Sequence, residues 1–204
     1  MAGISNGIAL HGSGLIPFAA TFLTFSDYMK NSIRLSALSH VGVLYVFTHD
    51  SIGLGEDRPT HQPVEQLAGL RAIPRMFVFR PADETEIAEA YKAAIANRTV
   101  PSAMALSRQK VVANLEGSSA SDVARGGYVI SDNSGDGVPE IILIGTGLFD
   151  VQPREYKVSE LPPRAKKRVS VEAGSPIGWR EYVGEEGIVH GVDDFGCSGA
   201  SLDT

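Results

Sequence analysis

A polar stretch at residues 48–63 concentrates side chains that could exchange protons or bind sugar hydroxyls. It reads THDSIGLGEDRPTHQP and contains His49, Asp57 and His61. Histidine titrates near neutral pH, so two imidazoles beside a carboxylate can move protons or hydrogen-bond hydroxyl groups. From the pattern alone, an equally good interpretation is a loop whose polar side chains hydrogen-bond its own backbone groups. Two histidines and a carboxylate could also bind a metal, but no compact ligand spacing favours that interpretation.

Two other sets of residues could bind a flat ring or a phosphate. Phe22, Phe25 and Tyr28 recur at every third position, which is typical of a core stripe but also suits stacking on a heterocycle. Arg108 follows an apolar segment. A guanidinium at the end of a strand can bind a phosphate with two hydrogen bonds, although a surface ion pair is the alternative.

The elements that must position these side chains are four apolar segments alternating with helical patterns. The segments near residues 15–19, 41–47, 75–80 and 101–106 predict an α/β fold, a parallel sheet with crossover helices. Helices are expected at about 22–38 and 83–97, the second with Asp83 as its cap and Glu86 as capping-box partner. Parallel strands share a carboxyl edge, so the 48–63 loop and Arg108 are expected there.

The second half of the sequence predicts a smaller and less regular unit. Residues 114–122 are rich in serine and glycine and predict a linker. Short strands are expected at 128–130, 140–144 and 169–172, whereas 147–168 shows no convincing helix pattern. A parallel pair normally needs a helical crossover, so we expect an incomplete α/β domain over residues 123–204.

Composition narrows the classes of partner. The net charge of −6 and the pI near 5.4 argue against nucleic acid or an anionic membrane. No apolar run approaches the ~20 residues of a membrane helix. The single cysteine, Cys197, leaves no internal disulfide, which suits a reducing compartment. A soluble, cytoplasmic protein is therefore expected.

The histidine loop, together with other segments, resembles transketolase, a thiamine diphosphate-dependent family. The other matching segments, in the family's order, are NGIALHGSGLIPFAATF (6–22), DYMKNSIRLSALS (27–39), RPADETE (80–86), ALSRQ (105–109), GGYVISD (126–132), VSVEAGSPIGW (169–179) and GVDDFG (191–196). The resemblance implies a pyrimidine-binding domain at 1–113 and a C-terminal domain at 123–204. It implies transfer of a two-carbon ketol unit from a ketose phosphate to an aldose phosphate, as in the pentose phosphate pathway and the Calvin cycle.

The resemblance also assigns roles to the chemistry-bearing residues. His61 would face the reacting carbons of the sugar and Asp57 a substrate hydroxyl, so these two are the catalytic candidates. His49 and Arg108 would bind the substrate phosphate.

The cofactors implied by the resemblance are thiamine diphosphate and Mg²⁺. The residues implied for the aminopyrimidine ring are Phe22, Phe25 and Tyr28. The plastid stroma is an alternative compartment.

Departures from the family pattern set further expectations. Relative to a transketolase, the sequence begins after the glutamate that contacts the pyrimidine nitrogen and lacks the preceding diphosphate and metal domain. It also ends early and carries an internal deletion near residue 147. Gly135-Asp136-Gly137 imitates the start of the family's metal motif, but no paired asparagines follow, so no metal site is expected.

These departures leave two functional hypotheses. The chain could be an enzyme chain that works only with a separately encoded partner that provides the other half of the site. Alternatively, it is a non-catalytic fragment, or a binding module that docks on intact transketolase subunits. The protein partners expected are a second copy of the chain or an intact transketolase subunit. Either way, the chain alone is expected to be inactive and to bind the cofactors weakly.

One substitution falls inside the loop itself. Arg58 stands where the family has glycine, and it precedes Pro59. A residue before proline favours extended backbone, which arginine tolerates. Its side chain could either block the substrate or bind its phosphate.

Overall fold

Two parallel sheets and their flanking helices make up the fold. The computed structural model describes residues 1–54, 57–110, 113–132, 134, 142–144 and 152–195. The expected turn at Gly135–Gly137 and the deletion near 147 lie outside these residues. The helices are α1 (Ala2–Leu10), α2 (Lys30–Leu38), α3 (Gln66–Arg71), α4 (Glu84–Ala96), α5 (Ala120–Val123), α6 (Arg154–Glu160) and α7 (Arg180–Val183). The strands are β1 (Phe18–Phe22), β2 (Leu44–Asp50), β3 (Phe77–Phe79), β4 (Ser102–Ser107), β5 (Ile142–Ile144), β6 (Arg168–Val171) and β7 (Ile188–His190).

The first sheet confirms the predicted set of four parallel strands. Its order is β1-β2-β4-β3, and every neighbouring pair is parallel. Tyr45 and Phe47 of β2 and Met104 of β4 are fully buried. Such apolar central strands are expected where both faces of a parallel sheet are covered. Because β2 and β4 are neighbours, with Asp50 opposite Ser107, the segments that follow them lie side by side.

The start of the chain differs from expectation in three ways. The first strand begins at Phe18 rather than residue 15, because Pro17 has no N–H to donate and contributes only its carbonyl, which accepts from the Leu44 N–H at 3.1 Å. The single helix expected over 22–38 is wrong. Phe22 ends β1, a 3₁₀ helix spans Leu23–Met29, and α2 begins at Lys30. The preceding helix α1 was not predicted, because the face that it buries carries only small or polar residues and its larger apolar residues are exposed.

The second sheet is also parallel, in the order β5-β6-β7. No strand forms at 128–130, although one was expected there. The expectation that 147–168 lacks a helix is wrong, because α6 occupies Arg154–Glu160 directly after Pro153. None of the helices in the described ranges is long and apolar enough to cross a membrane.

A buried network of ion pairs joins the two sheets. Arg80, just after β3, donates from Nε to Asp50 Oδ2 at 2.5 Å and from Nη1 to the Glu172 carboxylate. Arg71 of α3 donates to the other oxygen of Glu172 at 3.2 Å. Both carboxylates are almost fully buried. We call these four residues the interdomain ion network.

The predicted linker, residues 114–122, is hydrogen-bonded to the part of the chain that contains the first sheet. Asp83 is fully buried and caps α4 by accepting from the Glu86 N–H at 2.8 Å, as predicted. Its second carboxylate oxygen accepts from the Leu115 N–H at 2.9 Å. Burial works to raise the pKa of Asp83, but the hydrogen bonds from the Glu86 and Leu115 amides outweigh it and lower that pKa.

We expect Asp83→Ala to lower the free energy of unfolding by about 1–3 kcal/mol, because it removes a cap and leaves the Leu115 N–H without its acceptor. Urea denaturation measures the change. Glu84→Ala, at an exposed position in the same helical turn, is the matched control and should cost less than about 0.5 kcal/mol. Equal losses in the two variants would contradict the role given to Asp83.

Candidate active site

The candidate site lies at the carboxyl edge of the first sheet. His49 and Asp50 end β2, and two short 3₁₀ helices, Ile52–Leu54 and Pro59–His61, follow in the loop. The Gln109 side chain, just beyond β4, donates to the Gly53 carbonyl and holds the loop against the end of that strand. The placement of the loop agrees with the rule that α/β folds build sites at this edge.

The three aromatic residues line up at the junction between β1 and a 3₁₀ helix: Phe22 ends β1, and Phe25 and Tyr28 lie in the 3₁₀ helix that follows. Residues three apart eclipse one another in a 3₁₀ helix. Phe22, at the N-cap of that helix, stacks on Phe25 with ring centroids 5.8 Å apart and an interplanar angle of 11°. Phe25 and Tyr28 follow at 6.1 Å, tilted by 39°. Tyr28 is 89% exposed, so the end of this column faces solvent.

Both histidines of the loop pack against this column. The His49 ring stacks on Phe22 at 3.6 Å with an interplanar angle of 15°. His61 meets Phe25 edge-on at 5.1 Å and Phe22 at 6.2 Å. Adjacent threonine hydroxyls bond both Nδ1 atoms, from Thr48 and Thr60, at 2.9 Å each. We call Phe22, Phe25, His49 and His61 the aromatic–histidine cluster.

Two charged residues at the rim of the site, Asp57 and Arg108, affect the pKa of His49. Burial lowers the pKa of His49 below its ordinary value; the Asp57 carboxylate works to raise it, and the positive charges of Arg108 and His61 lower it further. Asp57 and Arg108 are exposed. The structure thus brings together the candidates that the sequence singled out, four in the cluster, two charges beside it and Tyr28 at its exposed end.

The loop contains an unusual number of strained backbone positions. His49 and Ser51 have φ of 60° and 77°. Arg58 has φ 73° and ψ 164°, a region that essentially only glycine adopts. The expectation of ordinary extended backbone at Arg58 is therefore wrong. Its ψ meets the demand of the following proline, whereas its φ is positive.

The described residues fit one part of the implied cofactor better than the other. Phe25 and the exposed Tyr28 offer apolar ring faces of the kind that a pyrimidine stacks on. Among the described residues there is no group of three histidine, cysteine or carboxylate side chains that could hold a metal ion.

Sequence reasoning missed Arg80 as a neighbour of the site and gave no role to Asp50. Asp50 follows His49 directly, is buried, and is held by Arg80. A signal existed in the segment RPADETE at 80–86, where arginine follows a predicted strand. Its partner Glu172 lies 92 positions away, a distance that no local pattern covers.

Family models match both parts of the sequence. Residues 1–113 match the transketolase pyrimidine-binding domain, and residues 147–203 match the transketolase-like C-terminal domain. The first match alone covers more than half of the 204 residues. The chain belongs to the transketolase family.

Individual transketolases resemble the chain over nearly its whole length. The chloroplastic transketolase of Solanum tuberosum is 50% identical over 97% of this chain and 30% of its own length. The transketolase of Nostoc sp. is 51% identical over 97% of this chain and 34% of its own length. The chain thus spans about a third of the length of these transketolases.

Solved transketolase structures share the fold. A mutant Pichia stipitis transketolase in complex with fructose 6-phosphate aligns with a TM-score of 0.90 and 39% identity, over 99% of this chain and 33% of that one. A split-gene transketolase, described as an inactive β4 tetramer, aligns with a TM-score of 0.67 over 95% of this chain and 72% of that one. At 23% identity, this second similarity shows the fold alone.

We expect Arg58→Gly to raise the free energy of unfolding by about 0.5–2 kcal/mol. Relief of a strained φ contributes about 1–3 kcal/mol, partly offset by the greater freedom of glycine in the unfolded chain. Chemical denaturation measures the difference. Arg58→Ala is the control, because it removes the guanidinium but keeps a Cβ at the strained position. An equal gain from both variants would show that the charge, not the backbone, is responsible.

The lowered pKa of His49 gives a second expectation. As the pH falls, the unfolded chain binds a proton at His49 before the folded chain does. The contribution of the neutral His49 to the free energy of unfolding is therefore fully present above about pH 6.5 and is lost as the pH falls through the folded pKa. His49→Gln should therefore flatten the dependence of the free energy of unfolding on pH below about 6.5. The matched variant at the exposed His11, His11→Gln, should leave that dependence unchanged. Identical pH profiles for His49→Gln and the parent would rule out the assignment.

Proposed function

We propose that these residues form the pyrimidine-binding half of a transketolase active site that transfers a two-carbon ketol unit between sugar phosphates. The observation that carries the proposal is the aromatic–histidine cluster beside Asp57 and Arg108, at the carboxyl edge of a parallel sheet. Family membership supports the reaction class. The relative that holds fructose 6-phosphate supports the substrate class.

The sugar phosphate is positioned by the rim of the site. Arg108 provides a guanidinium fork for the phosphate. Burial lowers the pKa of His49, and the positive charge of Arg108 acts in the same direction, so both favour the neutral imidazole. A neutral imidazole can both donate and accept a hydrogen bond. Asp57 accepts from a substrate hydroxyl, and His61, edge-on to Phe25, exchanges a proton with the oxygen on the reacting carbon.

The cofactor platform is narrower than the family pattern suggests. A ring inserted between two others needs about 7 Å, twice a contact distance of ~3.5 Å. Phe22 and His49 are only 3.6 Å apart, so no ring enters between them. We therefore propose that Phe22 supports His49, while Phe25 and Tyr28 present exposed ring surface to the aminopyrimidine; their own centroids are 6.1 Å apart, so they too form no slot for a ring. When bound, thiamine diphosphate would supply the carbanion chemistry.

Turnover also needs a surface that holds the diphosphate and covers the pyrimidine. Stacking on Phe25 and Tyr28 contributes about 1–3 kcal/mol, whereas micromolar affinity needs about 8 kcal/mol. We propose that another chain or segment provides this surface, in a homo-oligomer or on an intact transketolase subunit. Exposed apolar residues of α1 (Ile4, Ile8 and Leu10) support such a contact.

The names of similar proteins bear on the compartment. The similar protein of Solanum tuberosum is described as chloroplastic, which supports the plastid stroma rather than the cytoplasm. We propose the stroma as the compartment in which the site meets its sugar phosphates.

Titration with ribose 5-phosphate of the chain isotopically labelled at its histidines tests the substrate site. We expect the ring NMR signals of His49 and His61 to move at millimolar ligand while those of His190 stay. Arg108→Ala should weaken the response at His49 by about tenfold or more, because one charged hydrogen-bonding partner is lost. Arg34→Ala, at an exposed position on α2, is the matched control. A phosphate that moves neither signal would overturn the proposed site.

An activity assay tests the half-site claim. With thiamine diphosphate, Mg²⁺, xylulose 5-phosphate and ribose 5-phosphate, we expect no turnover from these 204 residues alone, because the pyrimidine stays open to water. Calorimetry should give a dissociation constant for the cofactor above about 1 mM, the affinity that corresponds to ~4 kcal/mol. Saturable turnover or micromolar binding would show that the chain carries a complete site.

A further inference from the structure

The interdomain ion network touches the candidate site at one residue. Asp50 is the last residue of β2 and the direct neighbour of His49. Its Oδ2 accepts from Arg80, whose other nitrogen bonds Glu172 just after β6. A continuous chain of contacts therefore runs from the second sheet to the backbone that carries His49.

The charges of the network balance only when all its members are present. Two arginines face two carboxylates, and both carboxylates are about 95% buried. Burial works to lower the pKa of Arg80, but the carboxylates of Asp50 and Glu172 outweigh it and raise that pKa. Removing one partner of a buried pair leaves an uncompensated charge, so such a network resists partial opening.

The backbone at His49 needs an external restraint. Its φ of 60° is uncommon for a residue other than glycine, and the strands lose register between Phe47 and Asp50. Strained conformations persist only when the surroundings over-determine them. Phe22 restrains the His49 ring from one side, and Arg80 restrains the next residue along the chain.

We propose that Glu172 and Arg80 are positioning residues, through which docking of the second sheet fixes the His49 imidazole in the site. Glu172 holds Arg80, Arg80 holds Asp50, and Asp50 holds the end of β2. The inference rests on the proposed function only in giving His49 a substrate-binding role. The C-terminal unit then acts on a site to which it contributes no ligand.

The test reads out His49 by NMR in the full chain without any substrate. Glu172→Gln keeps the shape but removes the charge that holds Arg80. We expect the His49 ring signals to shift or broaden and the pKa of His49 to rise towards the ordinary histidine range as the ring loosens from Phe22. The near charges of Asp57, Arg108 and His61 remain in place, so the change reports the position of the ring. Glu181→Gln, on the exposed side of α7, is the matched control and should change neither.

A second variant covers the case in which Glu172→Gln fails to fold. Arg71 contacts Glu172 and lies over the Trp179 ring at 5.9 Å, and its side chain is 28% exposed. Arg71→Met should thus weaken the hold on Glu172 more mildly and move the His49 signals in the same direction by a smaller amount. Both variants should lower the midpoint of thermal unfolding, Glu172→Gln by about 6–20 °C.

Unchanged His49 signals in every folded variant of Glu172 or Arg71 would overturn the proposal, even with a lowered midpoint, because the network would then be only a structural contact. Loss of the response to ribose 5-phosphate is a separate result. That response bears on the substrate site and can fail while the coupling between Glu172 and His49 holds.

Discussion

The arginine side chain at position 80 is the constraint on which the two halves of this fold depend. It bridges carboxylates from two sheets, Asp50 of the first and Glu172 of the second, in a place where neither can be solvated well. The Coulomb attraction only has to offset desolvation, and such networks often contribute little net stability. What the network provides is specificity of geometry, because any displacement of one sheet leaves a buried charge without its partner.

The geometry of the site follows from a combination of a regular and an irregular feature. Parallel pairing of β2 and β4 brings the His49 loop beside the segment that carries Arg108. Extended strands alone would not place the rings in contact. The 3₁₀ turn after β1 aligns Phe22 and Phe25, and the positive φ at His49 lets its ring stack on that column. The strain at His49 is therefore tied to the placement of a side chain.

Local sequence patterns predicted much of the fold but not its long-range contacts. The four strands of the first sheet followed from apolar runs, and the cap of α4 from Asp83 and Glu86 three residues later. Helix α1 was missed because the face that it buries carries only small or polar residues, and the 3₁₀ turn because a period of three also fits the first turns of an α-helix. The histidines and aromatics could be singled out by type and spacing. The partnership of Arg80 and Glu172 could not, because it depends on how two sheets dock.

Rigidity and openness have different origins in this site. The first sheet and the interdomain ion network restrain the aromatic–histidine cluster, so its side chains need little reorganisation to act. Its front remains open, with Tyr28 almost fully exposed and both Asp57 and Arg108 in contact with water. Exposed charges interact in a high dielectric, where a pair at 4 Å is worth only about 1 kcal/mol. Preorganised charges stabilise a developing charge far better when water is excluded. The covering surface proposed above would therefore have two effects: it would complete the proposed cofactor site, and it would strengthen the electrostatic interactions of residues that are already in place.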